Sequence, residues 1–296
     1  MKIVRLGFTE SGLLLLNYAH RYVELSPDTK IQLLHNMKWL INWLYTTSGY
    51  YDKEVEGTNK NFTDSAYTAN LDKLIEHWEI AVNGCEETQL MFHNGFISEM
   101  YNCIKESFLH HYQIKNVQLF YETNQIIDRM PEYYEKIPHY FEKMRGKKIL
   151  VVSSFAELCV QQYITGNVDK LGLGFPHVER VVRVTTPYCF LNKGPHNNYF
   201  ETLAYIFEDI KKADFDVAVL GCGVYGHMLT HLIHSELKKD AIYLGGCVTN
   251  LFGILSTREK NGGMGKYIQT NEFWILNIPD KYKPLDYKEI EDGCYW

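Results

Sequence analysis

The chain has no cluster of Lys and Arg dense enough to follow a phosphate backbone. Its 30 Lys plus Arg are outnumbered by 36 Asp plus Glu, for a formal net charge of −6, so no nucleic-acid partner is expected. It also lacks a C-x-x-C pair. The seven cysteines (85, 103, 159, 189, 222, 247, 294) are scattered and odd in number, which suits no disulfide framework and points to a reducing, cytoplasmic setting. The stretch "SGLLLLNYAH" holds only four successive leucines. That is too short for a membrane span or a secretory signal core, so no transmembrane segment is expected. There is no repeat, no Walker A loop, no G-x-S-x-G elbow and no zinc-type cysteine set. One sequon, Asn61-Phe62-Thr63, is read as chance in a cytosolic chain.

What is present is an ordinary globular composition. With 296 residues, 46% of them hydrophobic, a sizeable core can form. Aromatics are abundant, and the 22 tyrosines would suit sugars and nucleobases, although the same side chains serve plain core edges. "KIVRL" (2–6) reads as a strand entering a turn at Gly7, with a helix from Ser11. Ser26-Pro27 starts a second helix, with Ser as N-cap and Pro at the first helical position. Residues 46–63 read as a loop, 64–82 and 97–112 as helices, and 116–122 as a strand.

From "RGKKILVVSS" onward the pattern alternates. Strands are predicted at 148–152, 178–184, 216–220 and 241–244, and helices at 155–164, 198–212 and 226–238. Such alternation specifies an α/β fold with a Rossmann-like, mostly parallel sheet, flanking helices and a helical N-terminal insertion. A single domain over residues 1–296 is expected, helix-rich over about 1–145 and Rossmann-like over about 146–296. A two-domain split near 145 is the alternative. Ligands of such sheets bind beyond the carboxyl ends of the strands.

That rule sorts the candidate residues. Gly221-Cys222-Gly223-Val224-Tyr225-Gly226 has the G-x-G-x-x-G spacing between a strand and a helix. It suits a phosphate at a helix N-terminus, and a purely structural turn is the alternative. The next strand ends in Gly245-Gly246 instead of the acid a dinucleotide ribose needs. His227, in the first turn after the glycines, could reach a ligand, whereas His231 and His234 read as solvated or hydrogen-bonded helix residues. Asp214-Phe215-Asp216 spells D-x-D but lies at the amino end of its strand, so it reads as surface. Arg5, Gly7 and Glu10 follow the first strand at its carboxyl end, where Glu10 could act as a base or ligand and Arg5 could meet a phosphate. His196, Asn197 and Tyr199 sit on a Gly/Pro/Asn loop and could touch sugar hydroxyls, with Asn197 or Asn198 capping the following helix.

Several stretches together resemble a known group. "KIPHYFEKMRGKKILVVSSFAELCVQQY", "DFDVAVLGCGVYGHMLTHLI", "DAIYLGGCVTNLFGIL" and "IEDGCYW" are similar to bacterial and large-virus proteins of glycan-synthesis gene sets, and through them to the GT-D fold glycosyltransferases. The C-terminal resemblance covers roughly residues 136–296. At the N-terminus "VRLGFTE" is similar to the signature Arg-x-Gly-Asp-x-Glu: Arg5, Gly7 and Glu10 match, and Phe8 stands where the aspartate would be. The resemblance implies transfer of a sugar from a nucleotide-sugar donor to a glycan or other hydroxyl acceptor. It makes Glu10 and Arg5 the catalytic candidates. It brings Mn²⁺ or Mg²⁺ as cofactor, against which Phe8 counts, since one carboxylate holds such an ion poorly; no metal ligand is assigned. Substrate contacts are expected from Gly7, Gly221, Cys222, Gly223, Tyr225, Gly226, His227, Gly245, Gly246, His196, Asn197 and Tyr199. A non-catalytic nucleotide- or glycan-binding relative and another Rossmann-type nucleotide enzyme are the rival readings.

Overall fold

A computed structural model describes residues 1–55, 69–93, 95–122, 135–261 and 269–296. The expected sequon, the loop over 56–63 and the helix start over 64–68 lie outside the described residues. The frame is one seven-stranded sheet: β1 (Lys2–Leu6), β2 (Glu87–His93), β3 (Val117–Glu122), β4 (Lys148–Ser153), β5 (Arg180–Thr185), β6 (Val217–Gly221) and β7 (Asp240–Tyr243), in the spatial order β3-β2-β1-β7-β6-β4-β5. Every pairing is parallel. Parallel strands need crossovers, and most are helices: α1 (Phe8–Tyr22), α2 (Pro27–Thr46), α3 (Ala69–Val82), α4 (Phe96–His111), α5 (Ile137–Met144), α6 (Ala156–Ile164), α7 (Tyr199–Lys212) and α8 (Tyr225–Ser235), followed by the short α9 (Thr257–Asn261). The fold is a Rossmann-like α/β architecture.

Two apolar layers cover the two faces of the sheet. One packs Leu13, Leu14, Leu15 and Leu16 of α1 with Leu33 and Leu40 of α2, Trp78 of α3 and Leu229 and Ile233 of α8 against Val4, Leu6 and Ala218. The other packs Tyr140 and Phe141 of α5, Leu158 of α6 and Val248, Leu251 and Phe252 against Ile3, Val151, Val219 and Ile242. The buried central strands alternate between these layers, so they read as continuous apolar runs in the sequence. Local signals agree with the frame. Ser26 Oγ accepts from Thr29 N at 3.2 Å and caps α2, while Asn198 Oδ1 accepts from Phe200 N at 3.0 Å and caps α7.

The N-terminal portion supplies β1 and β3 where strands are expected at 2–6 and 116–122, and adds β2, which is not expected. The periodicity does not mark β2. Its residues Thr88 and Gln89 are polar yet buried, and Gln89 Nε2 donates to Tyr140 Oη at 2.7 Å. Buried polar residues of this kind erase the apolar pattern that would betray the strand.

Candidate functional site

Strand β1 lies between β2 and β7 in the middle of the sheet. The chain leaves β1 into α1, on the first face. It leaves the neighbouring β7 into the helical turn Gly245–Phe252, on the opposite face. Two adjacent parallel strands whose exits part to opposite faces leave a crevice at their carboxyl ends, the usual ligand position in an open α/β sheet.

Arg5 spans that crevice. Its Nη1 donates to Leu244 O at 2.6 Å and to Cys247 Sγ at 3.2 Å, while Nη2 lies 3.2 Å from Met91 Sδ of β2. Glu10 is the third helical residue of α1, whose N-cap is Gly7. Its carboxyl group turns back over that glycine: a Cβ on Gly7 would lie 2.6 Å from Glu10 Oε2. Gly7 has no side chain to cap α1, and the carboxylate reaching back to the backbone is half of a capping box. Glu10 is only 6% exposed. Burial pushes its carboxyl above the usual range, against the opposing pull of its own N–H, the Arg5 guanidinium and the Gly7 N–H.

The turn after β7 completes the crevice. Gly245 has φ +60°, and a Cβ there would come 3.2 Å from Arg5 Nη1. Gly246 differs: a Cβ there would meet a single atom within 4 Å, Arg258 Nη2 at 3.9 Å. Packing does not demand a glycine at 246, so its bare backbone is open to approach from outside.

The three fingerprint glycines are instead filled by the chain itself. A Cβ on Gly221 would lie 2.6 Å from Gly245 O, one on Gly223 (φ +57°) 2.7 Å from Ser48 O, and one on Gly226 2.2 Å from the Tyr243 ring. Ser48 O also accepts from Val224 N at 2.9 Å. The spacing arises because the loop after α2, the turn after β7 and the Tyr243 ring all press on this segment. Gly221 still belongs to the crevice through its contact with Gly245.

The structure separates the remaining expected residues. Arg5, Gly7, Glu10, Gly221, Gly245 and Gly246 come together. His227 is 0% exposed, has Nδ1 3.0 Å from Val224 O, and meets Tyr243 edge-on at 4.8 Å. Burial lowers its pKa to about 4, so the ring is a neutral core group. Cys222 and Tyr225 are buried, and Tyr225 stacks on buried Tyr199 at 4.8 Å. These three are placed in the core, not at an open surface. The contacts of His196 run to Tyr51 Oη and Thr202 Oγ1, and those of Asn197 to Glu201. Both serve the start of α7, where Asn198 is the cap. Asp214 pairs with Lys148 and Arg180 at the amino edge of the sheet. His231 Nδ1 lies 3.4 Å from Lys2 Nζ, and His234 Nδ1 3.4 Å from Lys239 O.

The sequence reading missed Arg258. It enters through Ser256-Thr257-Arg258-Glu259, a capping box: Ser256 N donates to Glu259 Oε2 at 2.9 Å and Glu259 N to Ser256 Oγ at 3.3 Å. The S-x-x-E spacing was the available signal. Arg258 is exposed, with its guanidinium 4.7 Å from the Tyr295 ring centroid. Burial and, more weakly, the Glu259 carboxylate push the Cys247 thiol up, while Arg5 first and then Arg258 pull it down, so one atom beside Gly246 feels both guanidiniums.

A divalent ion does not fit this donor set. Glu10 is the single motif carboxylate and is turned onto backbone N–H groups. Among the described residues no group of three His, Cys, Asp or Glu could hold a metal. No helix among them is long and apolar enough to cross a membrane.

No family model matches the chain, and no curated protein matches it. A solved structure, described as a highly conserved domain of unknown function 1792 with a distinct glycosyltransferase fold, is similar over 95% of this chain and 93% of that chain. The identity is 13% and the TM-score 0.38. A likeness of that degree decides nothing about activity.

Proposed function

We propose that the chain transfers a sugar from a nucleotide-sugar donor to a hydroxyl of a glycan-type acceptor at the β1–β7 crevice. The observation behind this reading is the convergence of Arg5, Glu10 and the open Gly245-Gly246 turn at one carboxyl edge. It agrees with the Arg-x-Gly-x-x-Glu spacing that resembles the glycosyltransferase signature. In a direct displacement the acceptor hydroxyl gives its proton to Glu10 as its oxygen bonds the anomeric carbon. The bond from that carbon to the donor phosphate oxygen breaks, and the leaving nucleotide keeps the electron pair. Arg5 offsets the charge that develops there. Burial makes an ionised Glu10 a stronger base than an exposed carboxylate.

A thermal-shift screen with UDP-, GDP-, dTDP- and CMP-sugars, with and without Mn²⁺, tests the reading. One sugar nucleotide is expected to stabilise the chain. Stabilisation only by NAD or S-adenosylmethionine would sink it. One observation favours a second reading, a binding relative without chemistry: Glu10 already serves the Gly7 backbone, and Phe8 replaces the second acid. Donor binding without hydrolysis or transfer, unchanged in Glu10→Gln, selects that reading.

A further inference from the structure

We propose that Arg258, with Arg5, forms a seat for the diphosphate of the ligand on the turn 245–247, and that the docked residues 291–296 hold Arg258 over it. The inference deepens the function proposed above and rests on it only for the nucleoside and the sugar.

Three independent features point to this seat. First, two guanidiniums flank one turn. Arg5 Nη1 lies 3.2 Å from the Cβ position of Gly245, and Arg258 Nη2 lies 3.9 Å from that of Gly246. Paired guanidiniums match the oxygens of a diphosphate, which spread two charges over two phosphorus centres. Second, Gly246 is bare on its outer side for no packing reason, so a phosphate can approach the backbone where the helical segment Gly245–Phe252 begins. Third, no carboxylate among the described residues pairs directly with Arg258; its hydrogen-bond partner is Tyr295 Oη, at 3.5 Å. Glu259 and Glu291 act on Arg258 only from beyond ion-pair distance, so its guanidinium keeps donors to offer an anion.

The tail explains how so long a side chain stays in place. Glu291 and Asp292 have φ +45° and +55°, ahead of Gly293 at +75°. Two non-glycine residues in the left-handed region are strained, and they persist only where their surroundings hold them. The turn they make aims Glu291 at its neighbours: Tyr295 Oη donates to Glu291 Oε1 at 3.1 Å and Cys294 Sγ to Oε2 at 3.4 Å. Arg258 N donates to Cys294 O at 2.8 Å. Trp296 is buried among Tyr188, Phe190 and Tyr287, which anchors the segment. The Tyr295 ring is thus a platform for the guanidinium. Tyr295 and Glu291 are positioning residues.

Inorganic pyrophosphate titrated into the full chain by calorimetry tests the seat without any sugar chemistry. Binding is expected in the wild type. Arg258→Ala should raise Kd by about tenfold or more and Arg258→Lys by less, because an ammonium is a point charge. Tyr295→Leu should raise Kd, while Tyr295→Trp, which keeps a ring face, should restore it. Arg145→Ala makes the same charge change on an exposed arginine paired with Glu142, and should leave Kd unchanged. The seat is overturned if pyrophosphate does not bind, if Arg258→Ala leaves Kd unchanged, or if Arg145→Ala matches its loss. Arg258-dependent pyrophosphate binding in a chain that turns over no sugar nucleotide keeps the seat and removes the transfer reading. Sugar transfer with pyrophosphate affinity indifferent to Arg258 does the reverse.

Discussion

Replacing Gly226 by alanine puts the packing account of the G-x-G-x-x-G segment at risk. The new Cβ would lie 2.2 Å from Cδ2 and Cε2 of Tyr243 and 2.7 Å from Cζ. Carbon pairs settle at about 3.5–4.0 Å, so the ring must move by more than an ångström. It has little room, being buried, with Oη donating to Gly223 O at 2.8 Å and an edge against His227. Overpacking of this kind costs about 1–3 kcal/mol, and losing the tyrosine hydrogen bond costs about 1 kcal/mol more. Alanine in a helix returns about 1 kcal/mol, which leaves a net loss of roughly 1–3 kcal/mol. Urea unfolding should show a lower midpoint at unchanged slope, and the melting temperature should fall by about 2–4 °C for each kcal/mol lost. A wild-type midpoint would refute the claim that this glycine exists to admit Tyr243.

Gly246→Ala should do the opposite: stability within about 0.5 kcal/mol of wild type, as for an open surface position, but weaker pyrophosphate and donor binding by calorimetry. Glu10→Gln should leave donor affinity nearly unchanged and lower transfer by about 10²–10⁴-fold, the usual worth of a positioned base. His227 gives a pH test. Its folded pKa of about 4 lies below the unfolded value of about 6.5, so the unfolded chain binds the extra proton between these limits. Its contribution is intact above about pH 6.5 and is lost as pH falls toward 4, with a slope of at most about 1.4 kcal/mol per pH unit. Glu10, raised by burial, works in the opposite sense, so the comparison is between wild type and His227→Gln. An unchanged slope in that variant places the histidine elsewhere.

The C-terminal half was legible because buried parallel strands must be apolar runs. β4, β6 and β7 each fall within about two residues of their expected limits, the usual scatter of such boundaries. β2 was not legible, since its buried Gln89 donates to Tyr140, a partner that sequence periodicity does not reveal. Arg5, Gly7 and Glu10 could be found from their place after the first strand. The glycine motif drew attention for its spacing, but that spacing has three separate packing causes, each supplied by a distant segment: Gly245 O, Ser48 O and Tyr243. Arg258 required the fold, because it reaches Gly246 only after the β7 turn and the 256–259 capping box orient it.

The place of β1 has a consequence for synthesis. Lys2 pairs with Ala241, 239 positions away, while the other edge of β1 pairs with β2 from Ile3↔Glu87 onward. At about 5–20 residues per second, the β7 side of β1 waits roughly 10–50 s after its own emergence for a partner. During that wait the edge of β1 that pairs with β7 at Lys2 and Ile3 lacks its partner, and an unpaired strand edge is the kind of template that captures other chains. Nascent-chain lengths short of residue 240 should therefore be the ones that depend most on a ribosome-bound chaperone.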